Sequence, residues 1–281
     1  MNYDFTDGYF LLNTRLTYRI WIPASDKNIA NEIKAVLLSA GFSEDVISHY
    51  ETLQHVIDCP KRNIPDILIA CIDEHNEDVV AQLRDLNQLK DNVAILVETA
   101  QLHPAFIGLL SAMGIPVISR NASAYIEVMK YYRESSFFAN WSVLGNKRLT
   151  PKEFEVLMYL LEGLSVTNIA RLMHRDVRTI STHKRNAMWC VGLKSSGEVQ
   201  FLGGVLQGSH AVYQKKGLSS LTSTEIKILD YLTKGWNVTL IAHTLARSVK
   251  TISAHKCNLM RKLGVQSEVA LFALRQKRPI M

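Results

Sequence analysis

Apolar residues recur at two different periods along this chain of 281 residues, and the change between them divides it near residue 140. In the first half, short apolar runs alternate with amphipathic stretches, which predicts alternating strands and helices. The predicted strands are Tyr18–Ile22, Ile67–Ile72, Val93–Val97 and Pro116–Ile118, and the predicted helices lie at about 27–40, 77–89, 103–112 and 123–134. This alternation implies a parallel sheet covered on both faces, so residues 1–140 are predicted to form an α/β domain.

The second half contains an internal repeat. Residues 149–192 recur at 221–264 with a constant offset of 72 residues and no gap, and 21 of the 44 aligned positions are identical. Such identity indicates that one folding unit has been duplicated. We therefore expect two separate small domains, at residues 145–206 and 218–281, joined by a flexible linker at 207–217.

Capping signals and apolar spacing predict the first helices of each copy. Residues 150–153 and 222–225 both place a threonine three positions before a glutamate, which is the pattern of a capping box. Gly163 and Gly235 then favour the end of the helix. The residues expected on the inner faces of the first two helices are Phe154, Leu157, Leu160, Leu161, Ile169, Ala170 and Met173, and Ile226, Leu229, Leu232, Ile241, Ala242 and Leu245 in the second copy.

A third helix in each copy carries the candidate chemistry. Ser165 and Asn237 are expected to cap the second helix, and Asp176 and Ser248 the third. Two helices joined by a short turn, with a basic outer face, are typical of a helix-turn-helix. The buried side of the third helix is predicted to contain Val177, Ile180, Met188, Val249, Ile252, Leu259 and Leu263.

Both copies resemble the LuxR/FixJ-type helix-turn-helix family. The shared pattern is L-T-x-x-E, then G, I-A, (K/R)-T-(V/I)-x-x-H and K-L-G, and it occurs twice in the same order. Within that family, V-T-x-I-A and T-I-S are similar to the Rcs capsule-synthesis regulators. The resemblance implies that each copy is an all-α domain of four helices whose third helix enters the major groove of DNA.

The resemblance also implies which residues contact DNA. By motif position, base-edge contacts fall on Ser181, Thr182, Arg185, Ser253, Ala254 and Cys257. Phosphate contacts fall on Arg178, Thr179, Lys184, Lys250, Thr251 and Lys256.

The two copies depart from the family pattern differently. The first has Trp189 and Cys190 where a basic pair is usual, and Gly203-Gly204 is expected to interrupt its fourth helix. The second keeps Arg261-Lys262, but it has short side chains at two of its expected base contacts. We infer that both copies contact phosphate and that the first carries more of the base readout. Trp189 and Trp236 are expected to fill the helical cores.

The charge is divided in the same way as the fold. Residues 1–140 carry 11 Lys and Arg against 18 Asp and Glu, a net charge of −7, and residues 141–281 carry 21 against 8, a net charge of +13. A basic half indicates a polyanionic partner, although charge alone leaves membranes and acidic proteins open beside nucleic acid. Together with the third helices, it favours double-stranded DNA as the partner.

The first half resembles the receiver domain of response regulators, which has a flavodoxin-like fold. Residues 65–69 correspond to the central strand that leads to the phospho-acceptor, Thr99-Ala100 to the position of the switch hydroxyl, and Arg120 to the neighbourhood of an invariant lysine. The resemblance therefore implies a flavodoxin-like α/β domain followed by two all-α helix-turn-helix domains.

The chemistry of phosphorylation does not fit this alignment. A receiver needs a carboxylate nucleophile and an acidic pair that holds Mg²⁺, but Cys71 stands at the acceptor position and Pro23-Ala24 at the end of the first strand. Asp26 and Asp73 lie two positions out of register, which leaves rescue by Asp73 open. We expect a pseudo-receiver that serves dimerisation or partner binding.

Three classes of function remain open. The first is a sequence-specific transcriptional regulator that is independent of phosphorylation, with two linked modules reading two half-sites. The second is an interaction protein that heterodimerises with another response regulator through its pseudo-receiver and modulates it. The third, an enzyme such as a nuclease, is disfavoured because the basic half has no clustered carboxylates and no Gly-rich phosphate loop. We expect a cytoplasmic homodimer or heterodimer, with no catalytic residues, no metal, no cofactor and no membrane partner.

Overall fold

The computed structural model describes the chain in eight ranges, 19–60, 63–72, 78–99, 104–119, 148–207, 220–234, 236–265 and 267–276. The predicted helix at 123–134 lies outside these ranges, as do Asp73, Ala100, Arg120 and Gly235. Most of the predicted linker lies outside them as well, and its first residue, Gln207, directly follows a helix that ends at Leu206.

Five parallel strands form one sheet in the order β2-β1-β3-β4-β5. The strands are β1 (Ile20–Pro23), β2 (Ile47–Tyr50), β3 (Ile67–Cys71), β4 (Ala94–Thr99) and β5 (Val117–Ser119). The helices between them are α1 (Lys27–Ser39), α2 (Gln54–Ile57), α3 (Val79–Leu89) and α4 (Pro104–Met113). This is the flavodoxin-like strand order, and it confirms the predicted α/β fold of the first half.

The central strand β3 is buried at every position. Leu68 faces the side of the sheet where Leu83 of α3 packs, and Ile69 faces the side where Ile33 of α1 packs. Strand β3 therefore reads as a continuous apolar run, because helices cover both faces of the sheet. The edge strand β2 has one buried position among four, and for that reason the apolar pattern does not predict it.

In the described residues beyond the sheet, eight helices form two segments of four, which we call the first segment (residues 148–207) and the second segment (residues 220–276). The first contains α5 (Pro151–Leu161), α6 (Val166–Leu172), α7 (Val177–Val191) and α8 (Ser196–Leu206). The second contains α9 (Ser223–Thr233), α10 (Val238–Thr244), α11 (Val249–Leu263) and α12 (Glu268–Gln276). The first three helices of each segment match in length and start 72 residues apart, as expected from the repeat.

Both predicted capping boxes are present. The backbone N–H of Thr150 donates to the Glu153 carboxylate at 2.9 Å, and the Glu153 N–H donates to the Thr150 hydroxyl at 3.3 Å. Thr222 and Glu225 make the same pair of bonds at 2.7 and 3.3 Å. Each box satisfies backbone donors that the helix itself leaves without partners.

The second capping box has a cation that the first lacks. The Lys262 ammonium donates to the Glu225 carboxylate at 2.7 Å. This bond, together with those from Thr222, lowers the pKa of Glu225 to about 2. The corresponding position in the first segment is Cys190. The departure of the first copy from the family pattern therefore removes a cation from the cap of α5.

Helix α8 continues through Gly203 and Gly204, so the expected interruption of the fourth helix is wrong. A Cβ on Gly203 would lie 2.5 Å from the carbonyl oxygen of Leu161 in α5. The side chain of Gln207 donates to the same carbonyl at 2.9 Å. Glycine is therefore required at position 203 for close packing of the two helices, not to end α8.

The α/β unit packs directly against the first segment. A Cβ on Gly108 of α4 would lie 2.4 Å from the carbonyl oxygen of Val191, the last residue of α7. Beside this contact, Arg84 of α3 binds Glu162 at 2.7 Å and lies 5.1 Å from the ring centre of Tyr159. The buried residues of the sheet face and of the first segment form one continuous apolar cluster.

Replacing Gly108 with alanine tests this contact. Alanine is favoured over glycine within a helix by about 0.5–1 kcal/mol, but its methyl group would overlap the Val191 carbonyl, and overpacking costs about 1–3 kcal/mol. We expect Gly108→Ala to lower the urea midpoint of unfolding, whereas Ser111→Ala on the same helix leaves it unchanged or raises it. A higher midpoint for Gly108→Ala would show that α4 and α7 are not in contact.

The Glu225–Lys262 pair predicts a specific dependence of stability on pH. Because the pKa of Glu225 is about 2 in the folded chain and about 4.3 in an unfolded one, the stabilisation is complete above pH 4.3 and is lost as the pH falls towards 2. We expect Lys262→Met to lower stability at pH 7, and we expect the difference from wild type to shrink at pH 3. Urea unfolding at both pH values measures this.

The matched control is Cys190→Met, which places the same side chain at the equivalent position of the first segment. This variant removes no cation, so its effect on stability is expected to be the same at both pH values. A difference between wild type and Lys262→Met that is as large at pH 3 as at pH 7 would contradict the assignment.

Candidate nucleic-acid interface

The turn before the third helix has the same backbone conformation in both segments. His174 and Ala246 have φ values of 51° and 49°, which lie in the left-handed region that few residues other than glycine adopt. The next residues close the turn, since Arg175 N–H donates to the Ala170 carbonyl and Arg247 N–H to the Ala242 carbonyl, both at 2.9 Å. Neither turn residue is glycine, so no local sequence signal predicts this conformation.

The second and third helices begin where the sequence predicts. The Ser165 hydroxyl accepts from Asn168 N–H at 3.2 Å, and the Asn237 side chain accepts from Leu240 N–H at 2.8 Å. The Ser248 hydroxyl likewise accepts from Thr251 N–H at 3.0 Å. Asp176 occupies the N-cap position of α7, but its side chain makes no capping hydrogen bond within the described part of the chain.

The buried face of the third helix is shifted towards its C-terminus relative to the prediction. Val177 and Val249 are each 48% exposed, so their assignment to the core is wrong. The first turn of α7 and of α11 projects beyond the segment, and the core starts at Ile180 and Ile252, which are fully buried. The remaining buried residues of the two helices are Ala187, Val191, Leu259 and Leu263, and Met188 is half-buried.

The predicted contact residues lie on the opposite face, and none of them is buried. Nine are exposed, namely Arg178, Thr179, Ser181, Thr182, Arg185, Lys250, Thr251, Ala254 and Cys257. Lys184, Ser253 and Lys256 are partly buried. The structure therefore brings each set of six residues onto one surface of a helix.

Two of these lysines contact the fourth helix of their own segment. The Lys184 ammonium donates to the Ser196 hydroxyl at 2.7 Å, and Lys256 is paired with the Glu268 carboxylate. Ser196 and Glu268 are the first residues of α8 and α12, so the contact recurs at the repeat offset. Burial lowers the pKa of Lys184, and the Glu268 carboxylate opposes this shift.

The hydroxyl groups on α7 bind back to their own helix. Ser181 donates to the Val177 carbonyl at 2.8 Å, and Thr182 donates to the Arg178 carbonyl at 3.1 Å. Each hydroxyl thereby uses its one proton and still presents oxygen lone pairs outward. In this conformation these two positions can accept hydrogen bonds from a ligand.

A basic recess beside α7 extends the surface beyond the predicted residues. It is lined by residues of α5, α6, the turn and α7, including Lys152, Arg171, Arg175, Thr179 and His183. Arg171 and Arg175 are not among the contacts predicted from the sequence, although both are exposed cations close to the cap of α7. Two features of the sequence could have indicated them. The two arginines are four residues apart, and both precede the N-cap residue of α7.

The two tryptophans differ in their surroundings. The ring of Trp236 stacks on Tyr231 at 4.6 Å between centroids and packs against the core of the second segment. Trp189 is 66% exposed, so its assignment to the core is wrong. The position follows from the helix, because Ile180, Ala187 and Val191 already occupy the buried face of α7.

The residue that the sequence aligns with the acceptor of a receiver is a cysteine at the end of the central strand. Cys71 is the buried last residue of β3 and is in register with Glu98 of β4. Ala24 and Thr99 are also buried. The Asp26 side chain accepts from Asn28 N–H at 2.8 Å as the N-cap of α1. Asp73, the alternative acceptor, lies outside the described residues.

Two further searches cover the described residues alone. Within them, no three His, Cys, Asp or Glu side chains are grouped so that they could hold a metal ion. No helix in those ranges has the length and apolar character needed to span a bilayer.

Comparison with known proteins places relatives on both helical segments. Residues 147–200 and 219–274 match the family of bacterial regulatory proteins known as the luxR family. The transcriptional regulatory protein RcsB of Escherichia coli K12 is 30% identical over 118 residues, which cover 37% of this chain and 55% of RcsB. The transcriptional activator protein BglJ of the same organism is 48% identical over 52 residues, 18% of this chain and 23% of BglJ.

Solved structures of response regulators overlap this chain in part. RcsB from Salmonella enterica serovar Typhimurium, bound to a promoter, gives a TM-score of 0.37 at 20% identity, covering 66% of this chain and 98% of that one. The chain spans about half the length of the curated RcsB relatives that it matches. Each four-helix segment therefore carries a match to the luxR family of bacterial regulatory proteins, and the chain is similar over part of its length to the transcriptional regulators RcsB and BglJ.

Proposed function

We propose that the chain is a DNA-binding transcriptional regulator whose helices α7 and α11 lie in the major groove of duplex DNA. The observation that supports this is the twofold occurrence of one exposed polar and basic helix face, at the same repeat positions and on the same scaffold. An α-helix of this kind fits the major groove, where its side chains reach base edges.

Charge and position divide the contact residues into two groups. Arg178, Thr179, Lys250 and Thr251 lie in the first turn of their helices, where the helix dipole adds to their attraction for phosphate. Base contacts are assigned to Ser181, Thr182, Arg185, Ser253, Ala254 and Cys257. Lys184 and Lys256 are held by the fourth helices, so they act mainly through the positive field of the surface.

We also propose that this activity is independent of phosphorylation. A receiver forms an acyl phosphate on a carboxylate, whereas β3 ends in the buried thiol of Cys71. Asp26, the acidic residue nearest the end of β1, is engaged as a helix cap. The α/β unit then serves as a pseudo-receiver, which contacts the first segment and is available for dimerisation.

The second candidate function is modulation of another regulator. In that case the chain heterodimerises through the pseudo-receiver and does not bind DNA by itself. The thiol at the acceptor position favours a role in partner binding. A gel shift with the purified chain alone separates the two functions, because a modulator alone leaves the duplex unshifted.

The DNA surface predicts the effect of single charge deletions. We expect Arg178→Ala and Lys250→Ala each to raise the Kd for duplex DNA about tenfold, the equivalent of one charge-assisted hydrogen bond. Each deletion should also reduce the slope of log K against log salt by about 1. Lys27→Ala on α1 of the α/β unit is the matched control and should leave both quantities unchanged. If the slope of log K against log salt is the same for wild type and both variants, Arg178 and Lys250 do not contact phosphate.

Phosphorylation independence predicts no response to a small phosphodonor. We expect incubation with acetyl phosphate and Mg²⁺ to leave the intact mass of the chain and its Kd for DNA unchanged. The Asp73→Asn variant serves as the control, because it removes the alternative acceptor. A phosphate adduct that appears on wild type and is absent from Asp73→Asn would overturn the proposal.

A further inference from the structure

The two four-helix segments pack against each other through equivalent helices. Helix α8 lies along α12, and the first residues of the two helices are separated by the repeat offset. The ring of Phe201 meets that of Phe272 edge to face, with centroids 6.0 Å apart and an interplanar angle of 85°. Phe272 is 4% exposed and Val269 is 1% exposed. The contact is therefore apolar, with Phe272 and Val269 buried and Phe201 partly buried.

A second contact reinforces the first. Gly163, which ends α5, has a φ of +92°, and a Cβ there would lie 2.7 Å from the Ser267 hydroxyl oxygen and 3.5 Å from the Val269 Cβ. The turn after α5 therefore fits directly against the start of α12. The sequence analysis assigns Gly163 only to the end of a helix, but the close approach is a second reason for glycine at this position.

Electrostatics place the start of α12 near the third helices of both segments. The Glu268 carboxylate pairs with Lys256 of α11 and also favours the charged form of Lys184 on α7. One carboxylate thus interacts with a cation from each of the two candidate DNA-binding helices. The Lys256–Glu268 pair places α11 beside the start of α12, and the bond from Lys184 to Ser196 places α7 beside the start of α8.

Contact between equivalent surfaces is the property of a two-fold arrangement. A head-to-tail arrangement of two copies would bring different helices together, whereas a two-fold axis brings each surface onto its own equivalent. Two-fold-related recognition helices match half-sites of opposite orientation on a duplex. The repeat is therefore arranged as a pair, and not as two independently tethered modules.

We propose that residues 148–276 form an intramolecular pseudo-dimer, so that a single chain occupies two half-sites arranged as an inverted repeat. The inference rests on the proposed function, since it requires that α7 and α11 both bind DNA. It replaces the flexible tethering expected from the sequence with a fixed spacing. No association of chains is needed to fill the second half-site, because the two modules are already joined.

The two half-sites of such an operator differ in sequence. Arg185 of α7 corresponds to Cys257 of α11, and Thr182 corresponds to Ala254. Arginine can bind guanine through two hydrogen bonds, whereas cysteine and alanine present little polar surface to base edges. The inverted repeat is therefore imperfect, and the half-site under α7 is the more strongly specified one.

The test begins with the full chain and a library of random-sequence duplexes. Bound duplexes are selected, sequenced and footprinted with hydroxyl radicals, and native mass spectrometry counts the chains on each. We expect one chain per duplex and two protected half-sites in inverted orientation, with centres about one helical turn, roughly 10 bp, apart. Inserting 5 bp between the half-sites should lower affinity at least tenfold, since it turns them to opposite faces.

The interface itself is tested with Phe201→Ser. This variant should reduce the penalty for the 5-bp insertion at least threefold, and binding to a duplex with one half-site should not change. Leu38→Ser, which truncates an exposed apolar side chain on α1 of the α/β unit, is the matched control and should keep the full penalty. Circular dichroism checks that both variants retain the helical content of wild type, and the insertion series on wild type stands independently of either.

The outcomes separate this inference from the proposed function. Failure of the full chain to retain any duplex at low salt would overturn both. Four other results would overturn the pseudo-dimer and leave the DNA-binding function in place. The first two concern stoichiometry: one chain bound to a single half-site, or two chains bound to a duplex with two half-sites. The other two concern geometry: half-sites in direct orientation, or an affinity that the 5-bp insertion does not lower.

Discussion

Close approach of helix backbones at two glycines is the constraint on which the arrangement of this chain depends. Gly108 of α4 contacts the carbonyl of Val191 at the end of α7, and Gly203 of α8 contacts the carbonyl of Leu161 at the end of α5. At both positions a Cβ would overlap the neighbouring carbonyl oxygen. Backbone contact at these points fixes the units relative to one another more tightly than side-chain packing would. Because α8 is held against α5 on one side, its opposite side is presented to α12.

The same constraint divides α7 into two functional parts. Its last residue, Val191, is fixed by α4, whereas Arg178 in its first turn lies about 20 Å away at a rise of 1.5 Å per residue. The α/β unit therefore holds the helix without covering the face assigned to DNA.

The sequence predicts those features that depend on local chemistry. The capping boxes at Thr150 and Thr222, the caps at Ser165 and Asn237, and the fully buried strand β3 all follow from short-range patterns, and the structure confirms them. The DNA-contact residues follow only from the resemblance, and their assignment remains a prediction.

The errors come from packing between elements, which short-range patterns do not contain. Judged by helix propensity alone, Gly203-Gly204 predicts an interruption of α8. The structure shows instead that the Leu161 carbonyl leaves no space for a Cβ at position 203. The apolar residues Val177 and Trp189 fit the period of α7, yet they are exposed because the core begins one turn later and its face is already filled. The left-handed His174 and the edge strand β2 likewise depend on tertiary context.

The pattern of divergence between the two copies argues for a pair with unequal members. Positions that join the third helix to the fourth keep this contact in both segments, although the bonded groups differ. Lys184 binds the hydroxyl of Ser196, whereas Lys256 binds the carboxylate of Glu268. Lys262 strengthens one capping box, whereas its equivalent Cys190 brings no cation to the other. On the exposed face, by contrast, the side chains themselves change, with Arg185 against Cys257. Because the scaffold is retained and the exposed face is altered, the duplication preserves the arrangement of the two third helices while changing the side chains that each presents.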